Sequence, residues 1–248
     1  MKLNRNGAVI YEGPSQLDGE PIVVILTGIT ADSGNAKTGA MLQTWILRSD
    51  VAPLTALRTG ADASICGDCK HRPRITEDGK HVRTCYVSVW QAPRGVFACY
   101  KRGRYQRAYD PRSIAALGAG RQVRLGSYGD PAAVPFEVWG ALTARAAGFT
   151  GYTHQARHAT FDPRILSVCM VSADTLADVT AAHAAGGRAF HVRPIGTPVP
   201  KGLAQCPAAA EAGRRATCAT CMLCGGAAVK ARSISIQAHG NGARYVAA

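Results

Sequence analysis

Acidic residues are scarce in this sequence: 16 Asp and Glu stand against 29 Lys and Arg, a formal net charge of +13 over 248 residues. Long apolar runs are missing too. The best, Pro21 to Leu26, is strand-sized, well short of the ~18 residues a membrane helix needs. The opening MKLNRNGAVIYEG carries no secretory h-region, which predicts an intracellular, cytoplasmic protein. Hydrophobic residues make up 47% and charged residues 18%, so the chain can bury a core and wholesale disorder is excluded. No internal repeat, low-complexity block, Gly-x-Gly-x-x-Gly turn or convincing Ser/His/Asp spacing is present.

What the chain does have is positive charge, which favours polyanionic partners: nucleic acid first, anionic membrane second. Arg outnumbers Lys 22 to 7. That suits bidentate phosphate contacts, although a GC-rich genome produces the same bias. The charge concentrates between Arg94 and Arg124, where eight basic residues face one acid, Asp110, and Phe97, Tyr100, Tyr105 and Tyr109 are interleaved. Arg94, Lys101, Arg102, Arg104 and Arg107 are candidate phosphate contacts, and Tyr105 a candidate stacking residue. A solvated basic helix with its aromatics turned to the core is the plainer alternative. No membrane role is expected.

Nine cysteines fall into two groups and two singletons. Without an export signal, clustered thiols point to metal or redox chemistry, not disulfides. Cys206, Cys218, Cys221 and Cys224 contain a C-x2-C-x2-C run plus a remote fourth thiol. Four thiolates suit tetrahedral zinc, and the same pattern suits a [4Fe–4S] cluster. Cys66, Cys69 and Cys85 form a second group, one ligand short of a closed site. Cys99, His71 or His81 could complete it, and an open position would mark a reactive metal. Cys169, inside an apolar run, reads as a core residue.

The chain reads as a single α/β domain, residues 1–248, with a Cys-rich insert at 58–92 and a Cys-rich metal-binding segment at 201–230 before the last strand. Strands are expected at Pro21–Ile29, Leu42–Leu47, Gln122–Gly126, Phe149–Thr153, Ile165–Val171, Arg188–Val192 and Ser233–Gln237. Helices are expected at Pro93–Ala108, Pro135–Ala147 and Asp174–Ala185, the last with Asp174 as N-cap. This alternation predicts βα units forming a parallel sheet or a partial barrel. The strands finish in polar residues, Ser127 to Asp130, Thr153 to Gln155, Ser172 and Asp174, Arg193, and His239, and such strand ends open onto active sites in parallel folds.

Asp130, just after a strand on a Gly-flanked turn, is the leading nucleophile or base, with a turn or cap aspartate as the bland alternative. His154 is a candidate acid/base or ligand. Asp32 and Lys37 lie in a loop, Asp32 to Gly39, that resembles a phosphate-contacting turn without being a Walker A motif. Arg124 opens the segment that leads to Asp130.

Asn35-Ala-Lys-Thr-Gly39, the Cys66/Cys69 group ending in Cys85-Tyr86, Arg124-Leu-Gly-Ser-Tyr-Gly-Asp130 and Tyr152-Thr-His154 together resemble the phage proteins called gene product 88 and related phage domains of unknown function. The resemblance spans Asn35 to Arg157 plus Ala238-His-Gly240 and implies a phage or prophage origin. Here 15 residues separate Cys69 from Cys85, whereas relatives have a tighter group. By architecture alone, a barrel with a Cys-rich site after its late strands is similar to guanine transglycosylases and phage DNA-modifying relatives. That likeness implies Asp130 as nucleophile and Asp32 or Asp174 as second carboxylate.

The expectation is therefore a metal-containing enzyme that acts on nucleic acid, DNA ahead of RNA, by base exchange or base modification. The alternatives are an iron–sulfur enzyme of radical type and a non-catalytic zinc-held nucleic-acid-binding protein.

Overall fold

The computed structural model describes residues 5–32, 34–75, 78–213, 216–240 and 242–246. It opens with β1 (Gly7–Pro14), β2 (Pro21–Thr27) and β3 (Leu42–Arg48), each antiparallel to the next. Their connections carry no helix, and a parallel return needs a longer crossover. The aliphatic run Ile22 to Leu26 is completely buried, as expected of a strand covered on both faces.

A long excursion follows: α1 (Pro53–Thr59), α2 (Ala63–Cys66), the small hairpin of β4 (Arg74–Ile75) and β5 (His81–Val82), then α3 (Ala92–Lys101), β6 (Gln106–Arg107) and α4 (Pro111–Gly118). The alternating part then begins with β7 (Gln122–Tyr128), α5 (Phe136–Thr143), β8 (Gly148–Thr150) and β9 (Tyr152–Thr153). It continues through β10 (Met170–Ala173), α6 (Leu176–Ala184), β11 (Ala189–Arg193), β12 (Ala204–Gln205), α7 (Cys218–Cys221) and β13 (Ile234–Gln237). The fold is mixed α/β with parallel sheets.

One sheet has the order β6-β1-β2-β3-β7-β8 and the other β12-β13-β11-β10-β9. Apart from the antiparallel β4–β5 hairpin, the pairings from β3 onward are parallel: β3 with β7, β7 with β8, then β9, β10, β11, β13 and β12 in succession. A single residue, Gly151, separates β8 from β9. A Cβ there would lie 2.6 Å from Cys169 Sγ and 3.0 Å from the Val168 carbonyl oxygen, so the joint between the sheets requires glycine. Cys169 is fully buried in the core.

Several element boundaries differ from the sequence reading. The helix expected over Pro93–Ala108 ends at Lys101, where Gly103 at φ 64° turns the chain toward β6. The strand expected over Ile165–Val171 is a 3-10 turn, Pro163–Ser167, followed by β10, because Asp162 caps the turn through the Arg164 N–H. Asp174 is not the N-cap of α6. Thr175 is, in a reciprocal capping box with Asp178, which frees the Asp174 carboxylate for other partners. Among the described residues, no helix is long and apolar enough to cross a membrane.

The turn after β7 carries a tight backbone requirement at the cavity wall. Gly129 has φ 81°, and a Cβ there would sit 2.6 Å from Ile46 Cβ. Gly129→Ala should therefore destabilise the fold by about 2–3 kcal/mol, from left-handed backbone strain plus overlap with β3. Denaturant titration measures it; a change below about 0.5 kcal/mol, the scale of neutral surface substitutions, would show that the turn tolerates a side chain.

Candidate metal and substrate site

Against the parallel strands lies a cavity of about 400 Å³, lined by Tyr152 of β9, Ser172 of β10, Phe190 and Val192 of β11 and Ile234 of β13. All seven cysteines of the two groups line it: Cys66, Cys69 and Cys85 together with Cys206, Cys218, Cys221 and Cys224. Lys37, Arg124, Asp130 and His154 line it as well. Separate stretches of sequence thus meet in one place.

The first thiol group is held without recourse to a metal. Arg72 reaches across its loop, donating from Nε and Nη2 to the two oxygens of buried Asp62 at 3.1 and 2.8 Å, and from Nη1 to the Gly67 carbonyl at 2.7 Å. Gln155 Nε2 donates to the Cys66 carbonyl at 2.8 Å, and the Asp130 N–H to that of Ile65 at 2.6 Å. Burial pushes the Cys66 thiol well up and the Cys69 thiol to about 12. Sulfur in such a place is a neutral thiol unless a metal holds it as thiolate.

The second group rests on the Asn35–Gly39 loop. Asn35 Oδ1 accepts from the N–H groups of Lys37 and Thr38 at 3.0 and 3.2 Å. The Lys37 and Thr38 carbonyls in turn accept from Cys218 and Ala219 at 2.9 and 3.0 Å. This loop, read from sequence as a phosphate-type turn, is the seat of the C-x2-C-x2-C run. Met222 in the left-handed region, φ 51°, closes α7 and lets Cys224 return to the cavity. There the Tyr152 hydroxyl bonds it and burial pushes its thiol up to about 12.

Two cations stand beside this group. Lys37 Nζ is 3.3 Å from His239 Nε2, and Arg124 Nη2 donates to the Tyr86 hydroxyl at 2.5 Å. Among the described residues neither has a carboxylate within salt-bridge distance. Burial lowers the Lys37 pKa, with Cys206 and Cys218 pulling the other way. Cys218 also interacts with Arg124. Half-buried cations want anions, and thiolates on a metal supply them.

The cavity is also short of hydrogen-bond partners. Four buried polar atoms on its wall find none among the described residues: Arg83 Nε, Arg124 Nε, Tyr128 Oη and His154 Nε2. Unsatisfied groups concentrated in one concave place mark a polar occupant.

Asp130 is at this wall, but its carboxylate is engaged. Oδ1 accepts from Ala132 N at 3.0 Å and Oδ2 from His154 N at 2.7 Å. Burial raises its pKa to about 6 against the pull of those N–H groups. Burial likewise lowers His154 to about 4, which keeps the ring neutral. Asp32 stays outside the cavity, exposed and 3.9 Å from Arg121.

The basic stretch is elsewhere on the molecule. Arg94, Lys101, Arg102, Arg104 and Arg107 are exposed and line no part of the cavity. The tyrosines between them have structural partners: Tyr100 and Tyr109 both donate to Glu12, at 2.5 and 2.8 Å. The Tyr105 ring packs against Gly7 and the core. Cys99 lies beside Tyr105 and Arg102, away from the cavity, and completes neither thiol group.

Sequence reasoning missed one cluster. His71 Nε2 is 2.8 Å from Asp174 Oδ1, with the two side chains 13% and 11% exposed, and His154 stands alongside, ring centroids 5.2 Å apart. The available signal was a histidine inside the cysteine loop and an aspartate just past a strand. Compared with protein-family models, curated proteins and solved structures, the chain matches none.

Asp130→Asn leaves one acceptor where the carboxylate has two and turns an NH2 toward a backbone N–H. It should destabilise the protein by about 1–3 kcal/mol, the cost of an unsatisfied buried group. Thermal and denaturant unfolding test this. A variant as stable as the parent yet catalytically dead would return Asp130 to the role of nucleophile.

Proposed function

We propose that this protein is an iron–sulfur enzyme of radical type that modifies a nucleic-acid base, with its parallel strands forming a partial barrel around the reaction chamber. The observation that carries the reading is the convergence of both thiol groups and four unpartnered polar atoms on one cavity. Structural zinc sites close loops; they have no reason to face a shared chamber.

Cys66, Cys69 and Cys85, on the excursion that follows β3, would hold a cluster with one open iron. Cys206, Cys218, Cys221 and Cys224 would hold a second, fully ligated centre. Zinc is the alternative occupant. Thiolates 2.3 Å from a tetrahedral zinc lie about 3.8 Å from one another, whereas among the described residues the cysteine sulfurs do not gather in threes within 4.8 Å. When bound, an open-iron cluster supplies one-electron chemistry to a co-substrate. The chain itself orders both loops, would balance the second centre's charge with Lys37 and Arg124, and offers Arg83 and Tyr128 to the substrate.

A chamber of about 400 Å³ takes a small molecule or a single extruded nucleotide, not a duplex. The exposed basic residues Arg94, Lys101, Arg102, Arg104 and Arg107 would hold the backbone of the strand, DNA ahead of RNA, outside it. A phage or prophage setting, implied by the sequence resemblance, suits an enzyme that alters nucleic acid in the host cytoplasm. Base exchange through Asp130 has less support, because both carboxylate oxygens are taken.

Protein purified without oxygen should be brown and contain about eight iron and eight sulfide per chain, as two cubane clusters require. Cys66→Ser and Cys221→Ser should each remove about half of the iron. Colourless protein with one or two zinc ions would sink the radical reading and leave base exchange or simple binding.

DNA affinity should fall steeply with salt, the slope dropping by about one for each phosphate contact removed in Arg102→Ala and Arg104→Ala. Fluorescence anisotropy across a salt series reads it. Unchanged slopes in both variants would move the nucleic-acid surface elsewhere.

A further inference from the structure

We propose that His71, His154 and Asp174 form a binding site for one divalent metal ion, separate from both thiol groups. One donor atom from each residue lies within 4.8 Å of the other two. His154 Nε2 is buried at the cavity wall and has no hydrogen-bond partner among the described residues. A ring nitrogen in that state is costly unless a ligand completes it. The His71 and His154 rings meet at 71°, edge to face.

The surroundings are those of an outer shell. His71 points Nε2 at Asp174 and uses Nδ1 on Thr84 Oγ1 at 2.6 Å. Metal-binding histidines anchor their second ring nitrogen in this way. The other Asp174 oxygen is held by Lys70 Nζ at 3.2 Å, and the His154 backbone by Asp130. The three donors come from the cysteine loop, the end of β9 and the end of β10, so the ends of neighbouring strands fix their separation.

Two imidazoles and one carboxylate suit Fe2+, Mn2+ or Zn2+ and leave positions open. An ion here would border the chamber and polarise a substrate oxygen. The site does not depend on what the cysteines hold.

Mn2+ is the probe, because nitrogen and oxygen ligands hold it while soft thiolates select other metals. EPR titration of the purified chain should show one tight Mn2+, and pulsed EPR should show coupling to two imidazole nitrogens. His154→Gln and Asp174→Asn should each weaken binding at least about 10-fold, and Thr84→Val about 10-fold through loss of the ring anchor. Glu137→Gln, on the exposed surface, should leave binding unchanged. Circular dichroism separates loss of the site from loss of fold, and if either variant fails to fold, nitrogen coupling in the unaltered protein decides. Absence of bound Mn2+, bound Mn2+ without imidazole coupling, or full affinity in folded His154→Gln protein would each overturn the site.

Discussion

The Asp130 carboxylate is the interaction on which the chamber's geometry rests. It lies at the end of β7, in a turn that Gly129 makes possible, and spans to the Ala132 and His154 N–H groups. Its own N–H fixes the Ile65 carbonyl, one residue before Cys66. One residue, through its carboxylate and its backbone N–H, thus sets the end of β7, the exit of β9 and the first cysteine in register. Burial works against the charge, which is why its pKa rises to about 6. Two backbone donors offset that cost, since hydrogen bonds to a charged acceptor are stronger than neutral ones.

Charge balance sets a second constraint, at the far side of the chamber. Lys37 and Arg124 are brought in beside Cys206 and Cys218, and among the described residues His239 and Tyr86 are their direct partners. Neutral thiols would leave these cations uncompensated. A thiolate-ligated centre held there would carry net negative charge, which the two cations would stabilise. The first thiol group has a different escort: Arg72 interacts with Cys66 and Cys69 but is also paired with Asp62, and Asp130 and Asp174 act on the same thiols.

Much of this was legible in the sequence where local pattern carries the information. Cysteine spacing marked both groups, and apolar runs marked β2, β3 and β7, because strand burial leaves a trace within a few residues. Side-chain roles that depend on distant partners left none. Asp130 after a strand reads alike as nucleophile or as clamp, and only the positions of the Ala132 and His154 N–H groups distinguish them. His71 and Asp174 are 103 residues apart. Capping chemistry also misled: Asp174 and Thr175 are both good caps by type, and the choice fell to Thr175 because Asp178 completes the box. The tyrosines of the basic stretch suggested stacking platforms, yet Glu12 takes two of their hydroxyls.

The separation of the basic stretch from the chamber bears on how a polymeric substrate would be handled. Phosphate contacts supply affinity without sequence information, so they can sit wherever they hold the strand in reach of the opening. Selectivity would then come from inside, where Arg83, Arg124 and Tyr128 present polar atoms with no partner among the described residues. Leaving such groups unpaired is expensive for the empty protein, and an occupant lacking complementary atoms would leave them so. A base drawn into the chamber would satisfy them, and the energy recovered would offset the cost of unstacking it. A feature that costs the empty protein stability is thus the one best suited to choose the substrate.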